Sequence, residues 1–206
     1  MTESEAAQLV RETAERLGIA DLITRQYIAE LYNESGGHPY VTKIMLGEVA
    51  STRQLRRPGR IIADKDTILV ALFERTYAAL SPAASRCFLL LSSWRSMVPR
   101  LAVEAVALRS AEERIDVASA LEELKRLSLI EEIPVPGSSE SFVAVPLAAQ
   151  AFGRRKLQTS SVKASVEADA EVLFAFGATD RSAIGKGVRP RAQVLVRTVA
   201  SACAVA

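Results

Sequence analysis

The sequence predicts a mainly α-helical protein with one small β-hairpin, and three observations carry that prediction. Apolar residues recur at three- and four-residue spacing through most of the first 157 positions, the period of a helix with one buried face. The period shortens to alternation in one region only, around residues 129–145, as a strand pair requires. Glycine and proline fall between the periodic runs, most clearly in Ser35-Gly36-Gly37-His38-Pro39 and Ser81-Pro82, where helices stop and restart. The expected organisation is a small helical bundle over 1–57, a basic linker over 58–65, a helices-plus-hairpin domain over 66–157, and a helical tail over 158–206.

Taken in order, Thr2-x-x-Glu5 has the form of a capping box, and Ala6, Leu9, Val10, Thr13 and Leu17 follow at helical spacing up to Gly18. Thr24 is placed to cap a second helix carrying Tyr27, Ile28 and Leu31. Gly36-Gly37 ends it, because glycine adopts the left-handed backbone that closes a helix at no steric cost. Pro39 then starts a third helix at the position where a missing N–H is harmless, with Val41, Ile44, Met45 and Val49 as its buried stripe. Three short helices form a small bundle that buries too little surface to be very stable alone.

Arg53, Arg56, Arg57 and Arg60 surround Pro58-Gly59, and charge with breakers and no periodicity reads as a linker. It is either a solvated hinge or a contact for phosphate or a neighbouring subunit. Asp66 is the expected cap of a helix bearing Ile68, Leu69, Leu72, Phe73, Tyr77 and Leu80. Ser81-Pro82 opens the next helix, containing Cys87 to Leu91. Two more are expected, at about 99–108 and 110–127. Leu129–Val135 and Ser141–Val145 then read as strands joined by Pro136-Gly137-Ser138-Ser139. Three helices followed by a hairpin is the winged-helix order, an elaboration of the helix-turn-helix. Leu147–Leu157 closes the domain with Arg154-Arg155-Lys156 at its C-terminal end, where cations are favoured. Val166–Phe176 and a run from Pro190 are expected to be helical, the start of a module continuing past Ala206.

Composition excludes several classes of function. With 49% hydrophobic residues among 206, the chain has ample material for a core. The net charge of +2 is too small to indicate nucleic acid or an anionic membrane. Cys87 and Cys203 are far apart, which reads as two reduced thiols. Thr2 to Arg16 is charged from its first turn, unlike a secretory leader. Val194 to Ala206 is too short to span a bilayer and carries Arg197. A cytoplasmic protein without a membrane partner is the expectation.

The motifs point away from catalysis by this chain alone. Gly185-Lys186 is followed by Gly187 where a P-loop needs Ser or Thr, and Asp180 stands at the place of its first glycine. His38 is the single histidine, so a nucleophile–base pair has one candidate base, and a protein metal site would rest on carboxylates. For His38 itself two readings stand side by side, a capping side chain or a ligand contact. The helix expected to enter DNA, from Glu112 to Arg126, carries five acids against three bases, a net of −2. DNA affinity comes largely from neutralising phosphates, so DNA is the disfavoured partner. Trp94 reads as an anchor between helices.

The Gly-Gly-His-Pro corner between two such helices, with the winged-helix segment behind it, resembles the STAND class of signal-transducing NTPases related to AAA+ ATPases. The resemblance covers about Glu5 to Leu157. It implies that 1–57 is a helical lid, that Gly37 and Pro39 line the adenine side of ADP or ATP with His38 beside them, and that the nucleotide is held together with a P-loop domain that this sequence does not contain. It also implies nucleotide-dependent conformational switching and assembly, with a homo-oligomer as a candidate state. Members often place a histidine near the start of the last winged-helix helix; here that stretch reads Ala144-Val145-Pro146-Leu147, which weakens the ADP-locking role. The alternative is a stand-alone winged-helix module that binds DNA or protein.

Overall fold

The computed structural model describes residues 1–55, 65–94, 97–108, 115–137 and 139–173. The chain is mainly helical with a small three-stranded antiparallel sheet. Its contacts divide it into two compact units, Met1–Leu80 with Glu123–Leu129, and Ser81–Glu122 with Ile130 onward.

The first unit starts with α1 (Glu3–Arg16), and both halves of the Thr2/Glu5 capping box are present. Gly18 follows its last turn at φ 65°, and a 3-10 turn at Ala20–Leu22, unanticipated from the sequence, leads onward. Thr24 accepts a hydrogen bond from the Tyr27 N–H and caps α2 (Arg25–Ser35). α3 (Pro39–Thr52) begins with Pro39 as expected. Both α2 and α3 pack on α1. Val10, Leu31, Ile44, Leu46 and Val49 are almost wholly buried at their shared core, each contributing about 1.5–3 kcal/mol of apolar burial. α4 (Lys65–Ala78) starts one residue before Asp66, so Asp66 lies within the helix and is not its cap. α4 packs on α3, with the Tyr40 and Phe73 rings tilted at a centroid distance of 5.8 Å. The Arg75 guanidinium donates through Nε and Nη2 to the two carboxylate oxygens of Glu48.

The second unit carries the winged-helix order. α5 (Pro82–Ser93) is capped by the Ser81 hydroxyl, as Ser-Pro foretold. A two-residue strand, β1 (Val98–Pro99), follows, so Pro99 lies in a strand and not at the start of the helix expected from about residue 99. α6 (Arg100–Leu108) and α7 (Val117–Arg126) come next, the last residues of α7, from Glu123, belonging to the first unit. The expected start of the latter helix, near Ser110 and Glu112, lies outside the described residues. β2 (Glu131–Pro134) and β3 (Ser141–Ala144) form the hairpin. β3 is central, pairing with β1 on one side and β2 on the other.

α8 (Leu147–Thr159) lies along α5, and Trp94 at the end of α5 is 7% exposed, the anchor role expected of it. α9 (Lys163–Leu173) packs on α5, α6 and α8. It is fastened by a buried ion pair from Arg86 to Asp169 at 2.7 Å, with Ser165 accepting a second guanidinium hydrogen bond. The expected helix from Pro190, the Gly185-Lys186 breaker and Cys203 lie outside the described residues.

Two helix glycines permit close approach. A Cβ on Gly47 of α3 would stand 2.7 Å from the Arg126 carbonyl oxygen and 2.9 Å from Leu127 Cα. A Cβ on Gly153 of α8 would stand 2.1 Å from Ser92 Oγ and 2.6 Å from Ser92 Cβ. Each is a position where close approach, not turn geometry, favours glycine, to backbone at Gly47 and to a side chain at Gly153.

Candidate functional site

The corner between α2 and α3 is built by consecutive left-handed residues. Gly36 has φ 57° and Gly37 φ 70°, and their N–H groups return to the Asn33 and Tyr32 carbonyls at 3.4 and 3.1 Å. These bonds satisfy carbonyls that a helix end leaves orphaned. His38 then takes an extended backbone and caps α3. Its Nδ1 accepts a hydrogen bond from the Val41 N–H at 3.4 Å, so the hydrogen of the neutral ring resides on Nε2. Its carbonyl accepts from the Thr42 hydroxyl at 3.2 Å. The capping role considered for His38 is thus what this imidazole performs in the fold.

The three corner residues differ in what they offer a ligand. His38 and Pro39 are exposed and Gly37 is buried. The open side of Gly37 faces Met1 and Tyr32: a Cβ there would lie 3.0 Å from the Met1 carbonyl oxygen and 3.2 Å from Tyr32 Cε2. The close approach that needs glycine at 37 is therefore to the chain's own first residue. His38 and Pro39 form the outward edge, at the start of a 14-residue helix whose N-terminal end carries a partial positive charge.

Arg53, the first of the four arginines read as candidate contacts, has a local structural role. It ends α3 in the left-handed region at φ 53°. Its guanidinium donates to the Gly18 carbonyl at 2.6 Å and pairs with Asp21 at 3.5 Å. With both side chains more than half exposed, this pair contributes at most about 1 kcal/mol. Arg56, Arg57 and Arg60 lie outside the described residues.

α3 also receives the end of α7 along one stripe. The Tyr40 hydroxyl donates to the Ser128 carbonyl at 3.0 Å, and the Ser128 hydroxyl donates to the Lys43 carbonyl at 3.4 Å. Gly47 completes the stripe against Arg126 and Leu127. Residues 40, 43 and 47 share a helix face by spacing. Ser128 holds φ 58°, the left-handed geometry that closes a helix C-terminus. The C-terminal end of the helix that would enter DNA in a DNA-binding winged helix is therefore packed against protein.

Around the hairpin, Arg100 at the start of α6 gathers carboxylates. Its guanidinium bonds Glu104 at 3.1 Å, Glu122 at 2.8 Å and Glu132 at 3.1 Å. Glu132 also accepts from the Ser141 hydroxyl at 2.6 Å. Hydrogen bonding to Glu122, foremost, holds the Arg100 pKa above its ordinary value. Beside this cluster lies a cavity of about 280 Å³ lined by Pro99, Arg100, Leu101, Glu104, Phe142 and residues 139–141. The cavity carries no local sequence signal, since residues 99–104 and 139–142, far apart in sequence, create it.

The remaining reactive groups are occupied by the fold. Burial pushes the Cys87 thiol up to about 12, so at neutral pH it is a protonated core group and a poor nucleophile. Among the described residues no three His, Cys, Asp or Glu side chains are placed to hold a metal ion. No described helix is long and apolar enough to cross a membrane. No family model, curated protein or solved structure matches the chain.

Proposed function

We propose that this chain is the non-catalytic lid and winged-helix portion of a STAND-like nucleotide switch, working with a P-loop domain that supplies the phosphate-binding loop. The observation that carries the reading is the His38–Pro39 edge. Two left-handed glycines force the corner, the imidazole spends Nδ1 on the helix cap, and Nε2–H and the proline ring remain as an exposed donor beside an exposed apolar surface. That pairing suits the edge of an adenine base lying at the corner. Gly37, which faces Met1 and Tyr32, supports the corner's shape from behind.

In this reading ADP and ATP favour different placements of the winged helix, because a ligand shifts a conformational equilibrium only by its differential contacts. ADP or ATP is the cofactor, and the P-loop domain and further copies of the assembled protein are the partners. The compartment is the cytoplasm. The test is adenine nucleotide retention in native protein recovered from its source cells, with and without Pro39→Ala. The reading expects bound ADP in the parent and at least a several-fold loss in the variant; equal nucleotide content in both removes Pro39 from the site.

A second reading, a winged helix that docks protein, is favoured over a DNA-binding one by a specific observation. The backbone at Arg126 to Ser128 is packed on α3, and the described wing residues 136, 137, 139 and 140 carry no lysine or arginine. A helix that neutralises few phosphates gains little of the electrostatic affinity on which DNA binding depends.

A further inference from the structure

The end of α7 is closed by a strained residue whose partners lie beside the corner. Among the described residues, Arg53 and Ser128 are the two that hold a positive φ without being glycine. A left-handed backbone costs free energy in any residue with a Cβ, and such residues persist where their surroundings over-determine them. Ser128 is 7% exposed. Its N–H returns to the Lys125 carbonyl at 3.0 Å, and the Leu129 N–H returns to the Leu124 carbonyl at 2.9 Å. Those paired bonds close a helix through a left-handed residue, a place usually given to glycine.

Two hydrogen bonds to α3 fasten this closure. The Tyr40 hydroxyl donates to the Ser128 carbonyl at 3.0 Å, and the Ser128 hydroxyl donates to the Lys43 carbonyl at 3.4 Å. Tyr40 stands on the first turn of α3, directly after His38 and Pro39. All of these residues belong to the first unit, which the chain enters at Glu123 and leaves after Leu129. Ser128 is therefore one residue from a crossing between units.

We propose that Tyr40 is the catch of a two-setting hinge at Ser128, through which a nucleotide at the His38–Pro39 edge controls the end of α7. The trigger rests on the nucleotide reading above. With the catch engaged, Ser128 is held left-handed and the last turn of α7 stays closed. A nucleotide that shifts the first turn of α3 draws the Tyr40 hydroxyl away from the Ser128 carbonyl, and the backbone at 127–129 relaxes. Strain in the closed setting brings the two settings near in energy, so the loss of one hydrogen bond is enough to change their populations.

The test is amide hydrogen exchange over residues 123–130, with residues 6–14 of α1 as reference, in the parent, Tyr40→Phe and Ser128→Gly. In the 206-residue chain without nucleotide, Tyr40→Phe keeps the ring beside Phe73 and should speed exchange over 123–130 at least several-fold, with 6–14 unchanged. Ser128→Gly should slow it several-fold, because glycine removes the left-handed strain and gives up only a 3.4 Å hydroxyl bond. In native protein from its source cells, ADP and ATP should give different exchange over 123–130. Tyr40→Phe should erase that difference at equal nucleotide content. Exchange unchanged in both variants, or a rise in Tyr40→Phe shared equally by 6–14, overturns the proposal. So does a nucleotide-dependent difference that survives in Tyr40→Phe. A parent that retains nucleotide but shows no difference over 123–130 removes the hinge alone, whereas a parent that retains none removes the nucleotide reading and the trigger with it.

Discussion

The two units solve the same packing problem with opposite materials. Each has a helix glycine at a close interhelical approach and an ion pair tying one helix to the next. In the first unit Gly47 meets backbone, the Arg126 carbonyl and Leu127 Cα, while its ion pair, Arg75–Glu48, has side chains 42% and 15% exposed. In the second unit Gly153 meets a side chain, Ser92, while its ion pair, Arg86–Asp169, is 9% exposed on both sides. A contact against backbone cannot be relieved by a second substitution, and a contact against a side chain can. A buried pair leaves a stranded charge when broken, and a partly exposed pair leaves one with some access to water.

Four substitutions sharpen this contrast. The largest effect is expected for Arg86→Met, which strands the Asp169 carboxylate in the interior and should cost about 3–5 kcal/mol in urea unfolding. Adding Asp169→Leu should recover most of that loss, because replacing both charges by apolar groups is often neutral or stabilising. Failure of the double variant to recover would mean that the pair is not the source of the loss.

Gly47→Ala comes next. Alanine gains up to about 1 kcal/mol in helix propensity, yet its Cβ meets backbone on two sides, and overpacking of that kind costs about 1–3 kcal/mol or more. The expected net is a lower melting temperature that no substitution at Leu127 restores. Gly153→Ala should cost about 1–2 kcal/mol by the same physics. It should be rescued in part by Ser92→Gly, giving a favourable coupling in a double-mutant cycle. Additive effects of those two changes would contradict the assigned contact. The smallest effect belongs to Arg75→Met, about 0–1 kcal/mol, checked by the same melts and fading as salt is raised.

What the sequence made legible was short-range. The Thr2/Glu5 box, the Thr24 cap, the Gly36-Gly37 stop and Ser81-Pro82 each act within a few residues and stand where the sequence places them, and the strand expected at Ser141 to Val145 spans Ser141–Ala144. Asp66 failed as a cap because α4 begins before it, an error at a helix boundary of the usual kind. β1 was missed because two residues ending in proline carry no strand period, and its pairing with Phe142 and Val143 is set by the tertiary fold. Gly47 and Gly153 read as ordinary helix residues, since the partners that require them, Leu127 and Ser92, are distant in sequence. The same holds for the Arg100 cluster and its cavity. At the candidate corner the sequence foresaw the backbone at 36–39 and weighed a cap for His38, but gave no sign that Gly37 would face Met1.

The central claim is that these residues are the regulatory part of a larger nucleotide switch. The most direct measurement is the size of the native polypeptide in its source cells, by immunoblot with an antibody raised against this chain. The account predicts a band far above 22.2 kDa, large enough to include a P-loop domain. A single band at 22.2 kDa would contradict it and leave the winged helix to act alone.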